Sequence, residues 1–101
     1  MKATDLLNVN PLLVDRVRLT IMANLSLAGG PVDFNTLMEE LSLTKGNLST
    51  HIRKLEEADL VTVHKEFVGR KPRTTYACTA KGKKEMHQYL STIEALLKAK
   101  L

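Results

Sequence analysis

Residues 43–61 read LTKGNLSTHIRKLEEADLV, and within them the spacing of apolar residues changes from that of a helix to that of a strand. Thr44 is a good N-cap, and Leu48, Ile52 and Leu55 recur at helical spacing, so a helix is predicted from Lys45 to about Ala58. With successive side chains turned by about 100°, those three share one face, while Gly46, Thr50, Arg53 and Glu57 fall near the opposite side and Asn47, Ser49 and Lys54 on the flanks. The outward face is therefore small and polar where the helix begins. After Asp59 the period becomes two: Val61, Val63 and Phe67 alternate with Thr62, His64 and Glu66. Gly69 to Pro72 interrupts the run, and Thr74, Tyr76 and Cys78 alternate again, which predicts a β-hairpin with a basic tip.

Working outward toward the N-terminus, Leu43 and Thr44 make a tight connection to a short second helix, capped by Asp33 and carrying Phe34, Leu37, Met38 and Leu41 as far as Ser42. Before it, Ala28-Gly29-Gly30-Pro31 stops a long first helix, since glycine permits a left-handed end and proline cannot continue the ladder. That helix is predicted to start with Asn10 as N-cap and Pro11 in its first turn, with Leu13, Val17, Ile21 and Leu25 every fourth residue and Val14, Met22 and Ala28 widening the stripe. Toward the C-terminus, Thr79 caps a last helix, 79–101. There Met86, Leu90, Ile93 and Leu97 step by four, three and four, flanked by Tyr89 and Leu96. Such a stripe either packs on its own core or pairs with a second copy; an a/d seam at the end of a small domain favours the pair. Met86, Tyr89, Leu90, Ile93, Leu96 and Leu97 are thus the expected homodimer interface.

The chain has 101 residues, enough for one domain, 1–101, with one modest core and no room for a second. Its apolar content of 44 % can fill that core without staples. The lone Cys78 cannot form an internal disulfide, and Met1-Lys2 leads into Asp5 and Asn8 rather than an apolar leader, so a cytoplasmic location is expected. No run approaches the roughly 20 apolar residues that span a bilayer. The net charge is only +4, but it is segregated. Arg70, Lys71, Arg73, Lys81, Lys83 and Lys84 fall between residues 68 and 84 with no acid among them, a distribution that attracts polyanions.

Helix, helix, turn, helix, hairpin, helix is the order of a winged helix-turn-helix, an α+β fold that is mostly helical with a small β-hairpin. The strings VDFNTL, LSLTKGNLSTHIRKLEEADLV, FVGRKPRTTY and TAKGKK add to periodicity: together they resemble the MarR/ArsR-like winged-helix transcriptional regulators, over roughly residues 11 to 97. The resemblance implies that a recognition helix, 44–58, enters the major groove of double-stranded DNA and that a wing, 68–74, lies on the flanking backbone or minor groove. Asp59 stands where relatives carry glycine after that helix, which predicts a looser turn into the hairpin.

Elementary chemistry agrees. A reading helix needs small residues where its start closes on the backbone and hydrogen-bonding side chains facing out. Gly46, Asn47, Ser49 and Thr50 meet that need; Arg53 is long enough for a guanine or a phosphate, Lys45 and Lys54 suit phosphates, and Thr44 adds a hydroxyl and backbone N–H groups. Arg70, Lys71 and Arg73 are expected to project from a tip held by Gly69 and Pro72. The competing reading is a winged-helix module of a transcription assembly whose same face binds protein. His51, His64 and His87 lie on three elements without ligand-spaced companions, so no metal or other cofactor is expected. Cys78 reads as a small core residue, an oxidation sensor being the alternative. No nucleophile beside a base, phosphate-cradling glycine loop or paired carboxylates appear, and catalysis is not expected. A small-molecule effector, the operator and the direction of regulation are not readable.

Overall fold

In a computed structural model that describes residues 2–100, four helices surround a three-stranded antiparallel sheet. Two 3₁₀ turns, Ala3–Asn8 and Pro11–Leu13, precede helix α1, Arg16–Leu27; then come strand β1, Val32–Asp33, helix α2, Phe34–Leu41, and helix α3, Lys45–Glu57. Strands β2, Val61–Val68, and β3, Lys71–Cys78, form the hairpin, and helix α4, Ala80–Lys98, closes the chain. The sheet order is β1-β3-β2, with Val63 opposite Tyr76 and Val32 on the other side of Tyr76. Leu13, Ile21, Met22, Leu37, Leu48, Leu55 and Leu60 are fully buried and bring both helical layers and the hairpin base into one core.

The helix starts follow their caps. Asp33 Oδ1 accepts from the Thr36 N–H at 2.8 Å, Thr44 Oγ1 from Asn47 at 3.2 Å and Thr79 Oγ1 from Gly82 at 2.8 Å. The Thr36 N–H accordingly holds the Asp33 carboxyl below its ordinary pKa.

The predicted long first helix is two elements. Asn10 does cap, accepting from Leu12 at 3.0 Å, but the turn it starts is 3₁₀ and ends at Leu13. Asp15 then starts α1 anew, its Oδ1 accepting from both Val17 and Arg18 at 2.9 Å. Leu13 is buried from either geometry, so the four-residue spacing runs across the break; Val14, placed on the apolar stripe by that spacing, is instead exposed.

Two further expectations change. The hairpin tip is only Gly69-Arg70, because Lys71 and Pro72 pair with Val68 and Phe67. Gly69 takes φ +65°, the positive angle that a type II′ hairpin turn needs at its first central residue. The turn at Asp59 is tight, not loose: Asp59 itself adopts φ +60°, its N–H bonding Glu56 O and the Leu60 N–H bonding Leu55 O, both at 2.9 Å. That is the glycine-type helix ending, built on aspartate.

Candidate nucleic-acid interface

The polar face of α3 is open. Thr44, Lys45, Gly46, Asn47, Thr50, Arg53 and Lys54 are exposed and Ser49 is half-buried, while Leu48, Ile52 and Leu55 are buried. A Cβ at Gly46 would meet nothing within 4 Å, so packing within the subunit does not require glycine there. The Thr50 hydroxyl donates back to Gly46 O at 2.9 Å, which leaves its lone pairs outward.

Two grooves join α3 to the hairpin. One, about 720 Å³, is lined by Asp33, Phe34 and Asn35 at the start of α2, Lys45 at the start of α3, and Val68, Lys71, Pro72, Arg73 and Thr74 on the wing. The other, about 240 Å³, is lined by Ser49, Ile52, Arg53 and Glu56 of α3 with Val63, Lys65 and Tyr76 of the strands. Five cations from three elements, α3, β2 and β3, thus line clefts on the polar side of α3. Lys65 is the one that sequence reading passed over, because it occupies an apolar position in the alternation of β2. Tyr76 forms the floor of the smaller groove, and burial, with Glu56 nearby, raises its pKa.

Behind that face, Arg18 fixes α3 to α1. Its Nε donates to Leu12 O at 2.8 Å, and its Nη1 lies 3.2 Å from His51 Nδ1. Arginine has no acceptor, so Nδ1 accepts and the ring is held as a strut rather than a ligand. The Arg18 N–H and its nearby charge also hold the Asp15 carboxyl below its ordinary pKa.

Residues 17–97 match the family model described as a winged helix DNA-binding domain. The chain belongs to that winged-helix family. It is 38 % identical over 66 residues to an uncharacterized protein of Methanocaldococcus jannaschii, a match covering 65 % of this chain and 72 % of that one. A transcriptional regulator homologue from Pyrococcus horikoshii superposes with a TM-score of 0.78 at 34 % identity, over 89 % of this chain and 88 % of the other. A MarR-like transcriptional regulator from Thermotoga maritima gives 0.64 at 30 % identity, over 89 % of this chain and 64 % of its own. The fold is that of a winged-helix DNA-binding transcriptional regulator of the MarR type.

Not every residue singled out in this winged-helix domain stands where sequence reading put it. Arg70 alone occupies the turn; Arg73 lies in β3, opposite Glu66 and 3.9 Å from its carboxylate. Glu66 lies just outside the acid-free run of residues 68–84, and only the hairpin register brings it opposite Arg73. Lys81 is not simply solvated: its Nζ donates to Ala58 O at 3.0 Å and so caps the end of α3. In the expected dimer seam, Met86 is buried in the subunit's own core, with Tyr89 packed against it. Leu90, Ile93 and Leu97 are exposed and Leu96 half-buried. Among the described residues, no group of three or more His, Cys, Asp or Glu could hold a metal ion, and no helix is long and apolar enough to cross a membrane.

Proposed function

We propose that this winged-helix domain is a sequence-specific regulator acting as a homodimer in the cytoplasm, each subunit laying α3 in a major groove of double-stranded DNA and its wing along the flanking backbone or minor groove. The observation that carries the reading is the joint lining of the α3–hairpin clefts by Lys45, Arg53, Lys65, Lys71 and Arg73. Cations drawn from separate elements onto one side of a helix match a phosphate-lined groove, and an unneeded glycine at residue 46 leaves room for close approach. Leu90, Ile93 and Leu97, uncovered on one subunit at a/d spacing, supply the pairing surface. Two-fold pairing then asks for half-sites about 34–36 Å apart or a multiple of that.

Replacing Arg53 by alanine tests the reading helix. The expected loss is about 1–3 kcal/mol on a selected site, with folding intact and little change on a scrambled duplex. Equal affinity of wild type and Arg53→Ala for both duplexes would remove Arg53 from the reading face. Wild-type binding that is weak and sequence-indifferent across a salt series would favour the protein-interaction module instead.

A further inference from the structure

The end of the wing is apolar. Phe67 is 75 % exposed and Val68 56 % exposed, immediately before the Gly69-Arg70 turn. Side chains alternate along a strand, so Phe67 shares its face with Val61 and Val63, the face that packs toward α3 at the hairpin base, and its cross-strand partner is Pro72. At about 3.3 Å per residue, four residues carry Phe67 roughly 13 Å past Val63, beyond anything in the subunit that could cover it. β1 pairs with β3 only at Thr75 and Tyr76, so the wing from Thr74 outward is a two-stranded ribbon.

Two observations bear on what covers this ring. Pro72 has no N–H and is flanked by Lys71 and Arg73, which blunts the β3 edge against pairing with another strand. The surroundings of the ring are cationic, with Lys65 on its own face and Arg70 and Lys71 at and beside the turn. An apolar centre framed by cations complements the minor groove of DNA, whose walls are deoxyribose and whose rims are phosphate.

We propose that Phe67 and Pro72 form an apolar wedge that packs against the sugar edges of the minor groove, led by Arg70. This rests on the DNA-binding reading above and adds to it a contact that is not electrostatic. Its test uses the full chain and Phe67→Thr, which keeps a strand-forming residue, on a duplex selected from a random pool by the wild-type protein and on a scrambled duplex, across a salt series. The wedge predicts a roughly tenfold weaker affinity on both duplexes with an unchanged salt slope, since no charge is lost. Val14→Thr, at an exposed apolar residue just before α1 and outside the wing, should bind as wild type does.

Unchanged affinity of Phe67→Thr, or a slope that falls, overturns the wedge. So does a change in sedimenting mass, which would assign Phe67 to a contact between copies or proteins. If Phe67→Thr melts early, Phe67→Leu decides: near wild-type affinity sustains the wedge, and a loss equal to that of threonine overturns it. Failure of the underlying reading looks different, because then the wild type itself shows no salt-dependent binding to any duplex.

Discussion

The hairpin and α4 each have a rooted half and a projecting half. At the roots, Val61 and Tyr76 of the strands and Gly82 and Met86 of the helix are buried, and Cys78 packs beside them. Farther out, Phe67 and Val68 on the wing and Leu90 and Leu97 on the helix are more than half exposed. The rooted halves are welded by polar contacts: Thr79 Oγ1 donates to Asp59 O at 2.6 Å, and Lys81 Nζ to Ala58 O. The projecting halves have their own ladders, helical hydrogen bonds and exposed ion pairs within the same hairpin or helix, such as Glu66–Arg73 and Glu94–Lys98. Substitutions at the roots should therefore act on folding, and substitutions farther out on association, although the residue types are alike.

The largest expected effect lies at the root of α4. A Cβ on Gly82 would collide with the Leu60 carbonyl oxygen and come within 2.9 Å of Cys78 Sγ and Met22 Cε. Since the first of these is backbone, it cannot swing aside, and Gly82→Ala should cost about 3 kcal/mol or more by chemical denaturation. A Gly82→Ala protein as stable as wild type would mean that α4 is not anchored against the hairpin in this way. Next is Leu90→Asp on the projecting half of the same helix. Thermal melting of the isolated subunit should barely move, whereas a carboxylate in the proposed seam should weaken dimerisation by about 3 kcal/mol, seen as a shift to monomer in sedimentation. A Leu90→Asp chain that unfolds would place Leu90 with the root.

What could be read in advance divides along the same line. Caps at Asp33, Thr44 and Thr79 are local chemistry, and the stop at Gly29 and the turn at Gly69 follow from backbone freedom, so α2, α3 and α4 were legible residue by residue, and the hairpin except for its tip, where Lys71 and Pro72 pair instead of turning. Their polar faces, and with them the candidate DNA-facing residues of α3, follow from periodicity. Contacts across the fold were not legible. Nothing in the order of residues says that Lys81 reaches Ala58, that Glu66 meets Arg73, that Arg18 holds His51, or that Gly82 sits against Leu60; each depends on the register of β2 with β3 or on how α4 docks. Met86 was misassigned for that reason, since a helical stripe does not say where the core ends and a seam begins. β1 was missed because two residues carry no alternation.

The smallest expected effect lies at the joint between α3 and the hairpin root, where an L-residue holds a glycine conformation. A left-handed φ costs most L-residues about 1–2 kcal/mol, less for aspartate, whose short polar side chain tolerates it. Asp59→Gly removes that cost but enlarges the freedom of the unfolded chain, worth roughly 0.5–1 kcal/mol in the opposite direction. The bond from Thr79 goes to the Asp59 backbone carbonyl and survives the change. A net gain of about 0.5 kcal/mol is expected. Asp59→Ala, which lacks aspartate's tolerance without gaining glycine's freedom, should lose about 1 kcal/mol. Because the joint belongs to the root, both variants should bind DNA as wild type does once folded. Melting curves and a binding isotherm on the same samples test both halves of the claim: equal stabilities for glycine and alanine would deny that φ at residue 59 matters, and altered DNA affinity with unchanged melting would extend the projecting, binding half of the hairpin down to its base.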